Sequence, residues 1–199
     1  MRARMFLALG CLVATLTLPV ALRADSCTSA GNLVANCSFS TGVFSNWTVT
    51  RALSGTDLYV GASYGHNGDN SGVFGGSSEY DTISQTLNTT SSQVYTLTFW
   101  LDNQGAAAGE NDFQALWNGT SLLDETTATN GNVEYSYTVT GIGSDTLEFE
   151  GWNSPARYAL SDVSVTAEAP ALVPEGAGFW MLLCSGLAIL TGMVSRRYV

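Results

Sequence analysis

Through the middle of the chain, apolar residues recur at every second position in short runs. In "QVYTLTFWLDN", Tyr95, Leu97, Phe99 and Leu101 fall on one side of an extended strand, and Thr96, Thr98, Trp100 and Asp102 on the other. The first set is the core face. "VEYSYTVTG" repeats the pattern with Val133, Tyr135, Tyr137 and Val139. "DTLEFEGW" turns Leu147 and Phe149 inward and Glu148, Glu150 and Trp152 outward. "NDFQALWNGTSLL" reads as a strand, an Asn118-Gly119 turn and a second strand, with Trp117 in step with Phe113 and Ala115. "RYALSDVSVTA" closes the series, and "GASYGHNGDNSGVFGGSSEYD" is a long glycine-rich loop with one short strand. No long 3.6-residue period interrupts these runs. About ten strands in ~145 residues predict an all-β, two-sheet sandwich.

The ends break the alternation. The chain begins with Arg2 and Arg4, an apolar run over 5–20, and a small residue at Ala24. That order is a signal peptide over 1–24, with cleavage after Ala24. The sandwich then occupies 25–167, and 168–176 is a linker. Residues 177–194 carry no charge, long enough as a helix to cross a hydrocarbon core of ~30 Å. The transmembrane helix is assigned to 177–195 and a basic cytoplasmic tail to 196–199, because Arg196 and Arg197 follow at once. The body therefore faces outward.

Charge removes one class of partner. The chain has no lysine; between Asp25 and Glu168 sixteen acids stand against Arg51 and Arg157 alone. Such a surface repels phosphate backbones, so nucleic acid is excluded. Cys11 and Cys184 belong to the terminal segments, which leaves Cys27 and Cys37 in the body. Two cysteines in an exported chain predict one disulfide. A loop of that size contributes ~2–3 kcal/mol and pins an N-terminal strand.

The tail resembles that of the PEP-CTERM proteins, which carry a Val-Pro-Glu-Pro motif, a short apolar span and an arginine cluster. Val173, Pro174, Glu175, Arg196 and Arg197 match; Gly176 stands where the family has proline. The resemblance implies an exosortase as processing partner. It also implies a protein first anchored in the inner membrane by its C-terminus, then released to the cell surface or beyond.

The body resembles the galactose-binding-like jelly rolls. "NLVANCSFSTGVFSNWTVT", "ISQTLNTTSSQVYTLTFWLDN", "FQALWNGTSLL" and "YALSDVSVT" follow one another in the family's order, and Trp47 matches its framework tryptophan. The family includes many carbohydrate-binding modules. Members often hold a structural calcium, and Asp162 stands at the matching aspartate, while Ser40 and Ser161 replace two acidic residues of that pattern.

Sugar recognition needs aromatic platforms and planar polar groups. Trp100, Trp152 and Tyr158 are the candidate platforms, and Gln85, Asp102, Asn103 and Asn153 the polar partners. The outward aromatics have a plainer reading as packing under a loop. His66 is a loop histidine with no nucleophile beside it, and no catalytic residue is assigned. Glu148 and Glu150, about 7 Å apart as i and i+2, have the spacing of a glycosidase pair, a role ranked last. The expectation is a non-enzymatic protein of the envelope or extracellular matrix that engages exopolysaccharide. A purely structural surface protein is the alternative.

Overall fold

A computed structural model describes residues 26–77, 79–105, 111–127 and 131–169. The predicted signal peptide, the predicted sorting motif at Val173, Pro174, Glu175, Arg196 and Arg197, and the predicted membrane span lie outside these residues. No helix of the described residues is long and apolar enough to cross a membrane.

Ten strands form: β1 (Thr48–Thr50), β2 (Leu58–Gly61), β3 (Ser71–Phe74), β4 (Asp81–Leu87), β5 (Val94–Asn103), β6 (Asn111–Trp117), β7 (Thr120–Glu125), β8 (Asn132–Thr140), β9 (Asp145–Asn153) and β10 (Tyr158–Ala167). They build two five-stranded sheets, ordered β1-β4-β9-β6-β7 and β2-β3-β10-β5-β8, with antiparallel pairing throughout. The alternation seen in the sequence is the cause: each strand has one apolar face, and the two sets of apolar faces close on each other. Leu97, Phe99, Phe113, Leu147, Phe149 and Leu160 are fully buried between the sheets. Phe99 meets Phe149 edge-on at 5.1 Å, and Phe113 meets Phe74 edge-on at 5.4 Å. Trp47 and Trp117 join this core as expected. Asn118 and Gly119 both have positive φ, 51° and 75°, as a two-residue hairpin turn between β6 and β7 requires.

The Cys27–Cys37 disulfide is present. What it pins is not a strand: a short 3-10 turn (Ser26–Thr28) is followed by turns as far as β1. This segment is held to the last strand by Leu33 N–H to the Val165 carbonyl (2.9 Å) and Val163 N–H to the Cys37 carbonyl (3.1 Å). Asn32 adds two bonds, accepting from Val165 N–H and donating to the Val163 carbonyl. Backbone partners from β10 and side-chain amides replace a ladder, which satisfies the segment's polar groups without strand pairing. Phe39 and Trp47 of this segment stack at 5.8 Å over the end of the core.

Candidate functional site

The two outer faces carry the outward-pointing tryptophans. On the outer face of the first sheet, β9 presents Glu148, Glu150 and Trp152, all half-buried. β6 lies beside it with Asp112 opposite Trp152, Gln114 opposite Glu150 and Leu116 opposite Glu148. Tyr80, just before β4, reaches across β9. Its hydroxyl donates to Asp112 Oδ2 and accepts from Gln114 Nε2 at 3.0 Å. One aromatic plane, a phenol, an amide and three carboxylates thus share one surface.

Their ionisation is mutually opposed. Burial raises the Glu150 pKa above the usual carboxylate range, and the charges of Glu148 and Asp112 raise it further. Burial likewise lifts Asp112, outweighing the Tyr80 hydroxyl bond, and Asp124 adds to the rise. The Tyr80 hydroxyl is pushed up by burial and then by its bond to Asp112. The surface therefore favours hydrogen-bond donors over further negative charge.

Trp100 has a different fate. It projects from β5 on the outer face of the second sheet, between Ser161 of β10 and Glu134 of β8. The loop between β2 and β3 folds over it. His66 stacks on the indole with ring centroids 3.6 Å apart and planes within 2°. His66 N–H donates to Ser161 Oγ (3.0 Å), and His66 Nδ1 lies 3.5 Å from Asp162 Oδ2. One face of this platform is taken by the protein itself. Asp102, two residues on, accepts from Gly131 N–H (3.2 Å) and Gln104 Nε2 (3.4 Å).

Four predicted sugar contacts are corrected by burial. Tyr158 is fully buried, with its hydroxyl proton shared between Asn111 Oδ1 and the Glu125 carbonyl. Asn153 is also fully buried and donates to Asn103 Oδ1 at 3.1 Å, while Asn103 donates to the Thr127 carbonyl. Gln85 lines an open cleft of about 450 Å³ with Asn32, Asn46 and Asn88, but its amide is committed. It accepts from Ala35 N–H (2.8 Å) and donates to the carbonyls of Ala35 and Asn46. It is a strut for the N-terminal segment. The predicted platforms and polar partners do not converge.

Asp162 occupies a bulge in β10 between Ser161 and Ser164, at φ 52°. The side chains around it do not gather as a calcium site. Its neighbour is an imidazole, Ser161 Oγ already accepts the His66 N–H, and among the described residues no three His, Cys, Asp or Glu side chains gather as a metal site.

Sequence reasoning missed Tyr80, Asp112 and Gln114. Asp112 and Gln114 alternate with core Phe113 and Ala115, so their outward direction was readable. Their meeting with Trp152 depends on the β6–β9 register. Tyr80 had no signal in its loop.

No protein-family model and no curated protein matches the chain. Solved structures do. A carbohydrate-binding module, TmCBM61, in complex with β-1,4-galactotriose is similar at TM-score 0.54 and 17% identity over 70% of this chain and all of that one. The K1 cleaved adhesin domain of Lys-gingipain from Porphyromonas gingivalis is similar at TM-score 0.53 and 16% identity, over 66% of this chain and 96% of that one. The enzymatically active domain of bacteriophage CBA120 tailspike protein 4 is similar at TM-score 0.53 and 18% identity; this chain spans only 21% of its length. At these identities the likeness establishes the fold: an all-β, two-sheet sandwich of the kind found in carbohydrate-binding and adhesin domains.

Proposed function

We propose that this protein is a non-catalytic glycan-binding module, exported and sorted to the cell surface or matrix, that engages exopolysaccharide through the outer face of the β1-β4-β9-β6-β7 sheet. The observation that carries the reading is Trp152, half-buried on the outer side of the central strand β9, beside Tyr80, Gln114, Asp112 and Glu150. An indole face packs on the apolar side of a pyranose, and carboxylates and an amide bond its hydroxyls. The likeness to carbohydrate-binding modules supports the same class of ligand. Export and exosortase handling rest on the sequence of the two ends, and the Cys27–Cys37 disulfide supports an oxidising destination.

The test is a titration of the protein with β-1,4-galactotriose and with the producing bacterium's own polysaccharide, followed by tryptophan fluorescence. A saturable change lost in Trp152→Ala and kept in Trp100→Ala is expected. A flat response to both glycans overturns the reading in favour of a purely structural surface protein.

A further inference from the structure

Four strands end the two sheets, and they differ in how their edges are protected. β1 and β2 are three and four residues long. β7 carries Asp124 and Glu125 and faces a register shift at Ala115/Leu116. Short edges, charges and bulges all blunt further pairing. β8 has little of this. It runs nine residues, pairs with β5 alone among the described strands, and keeps one unbroken register from Asn132 to Thr140. It contains no proline, lysine or arginine and a single acid, Glu134.

Its sequence is also symmetric. "NVEYSYTVT" read outward from Ser136 gives Tyr and Tyr, Glu and Thr, Val and Val, Asn and Thr. Gly141 N–H donates to the Gln93 carbonyl at 2.9 Å. Antiparallel alternation then turns the backbone groups of residues 133, 135, 137 and 139 onto β5, and those of 132, 134, 136 and 138 to the side away from β5. Ser136 is thus both the centre of the sequence symmetry and an outward-bonding position. A two-fold axis through Ser136 makes the central pair a hydrogen-bonded one.

We infer that β8 is a homodimerisation edge: two copies pair antiparallel about Ser136 and join their sheets into one of ten strands. Tyr135 of each copy falls opposite Tyr137 of the other, Val133 opposite Val139, and Glu134 opposite Thr138. An isologous contact requires such self-complementarity, which a strand meant for an unrelated partner does not. The two Glu134 side chains lie four residues apart along the pair, about 13 Å, beyond a screening length of about 8 Å at physiological salt. The tyrosines are in place for the contact. Tyr135 and Tyr137 are half-buried and stack on Phe99 at 5.4 and 6.3 Å, so little side-chain freedom remains to be lost. Nine residues a side is less than the roughly 20–30 of a standard interface. The pairing is therefore weak in dilute solution and favoured where the chain is concentrated on a surface.

Register-specific crosslinking on the full chain tests this, in a Cys184→Ser background under mild oxidation. Residues paired across the two-fold stand about 5.5 Å apart at Cα, within disulfide reach. Ser136→Cys is expected to give a covalent dimer by itself. Thr138→Cys alone should give at least about tenfold less, and Thr138→Cys mixed with Glu134→Cys should recover it. As a second measurement without oxidant, Ser136→Lys and Ser136→Glu should each sediment as monomer and associate on mixing. A Ser136→Cys protein that melts like the parent and stays monomeric overturns the inference. So does a Thr138→Cys protein that crosslinks alone as well as Ser136→Cys does.

Discussion

The two outer faces began with the same sequence signal and ended differently. Trp100 and Trp152 both alternate with core residues and both point away from the sandwich. Over Trp100 lies the His66 ring, tied down through Ser161 and Asp162. Trp152 instead has carboxylates, an amide and the Tyr80 phenol beside it. An outward aromatic becomes a binding platform only if no loop from elsewhere in the chain claims its face, and 34 residues separate His66 from Trp100.

The largest expected effect that sharpens this contrast is on stability. Trp100→Ala should cost about 2–3 kcal/mol, because it removes the surface on which the β2–β3 loop stacks. Trp152→Ala should cost less than about 1 kcal/mol, since only half-buried packing on the outer sheet face is lost. Chemical denaturation of both variants checks this, and equal losses would dissolve the distinction between the faces. Next comes Gln85→Ala. It strands the Ala35 N–H and two carbonyls that the amide now serves, for about 2 kcal/mol, and should leave glycan titrations unchanged.

A smaller effect concerns pH. Asp112 and Glu150 are held above the usual carboxylate range, so the folded state binds their protons more tightly than the unfolded state does. Their protonated forms favour folding, and this contribution is lost as pH rises through the folded pKa values. Glu150→Gln should therefore stabilise the protein at neutral pH by a few tenths of a kcal/mol, and the gain should vanish below about pH 4. Asp145 has the opposite sign. Burial alone would raise it, but bonds from Thr89, the Ile142 N–H and Asn118 outweigh that and lower its pKa. Its stabilisation is present above the ordinary aspartate range and disappears as pH falls through the folded value. Opposite shifts in the pH-stability profiles of Glu150→Gln and Asp145→Asn measure the two terms. The smallest expected effect is none: EDTA should leave the melting temperature unchanged, because the Asp162 carboxylate faces the His66 imidazole. A fall in melting temperature restored by calcium would mean that the covered face is held by metal.

Much of the site could be placed by period two. Glu148, Glu150 and Trp152 outward follow from Leu147 and Phe149 inward, and the same count puts Asn153 inside, where it lies. Tyr158 shares a side with Leu160 by the same rule and is buried with it. A choice of candidates by side-chain chemistry alone passed over that signal. Gln85 also alternates with Ile83 and Leu87; only its partners, Ala35 and Asn46, are invisible from a distance of about 40–50 residues.

From the amino-acid sequence alone came most of the longer strands and the faces they would bury, the Asn118-Gly119 turn and the cysteine pair, because these depend on local alternation, local dihedral preference and a simple count. Which strands became neighbours, which tryptophan was covered, and which strand came to end each sheet depended on the tertiary structure. Those outcomes turn on loop paths and strand register, where residues far apart in the chain compete for the same surface and no short-range pattern records the result.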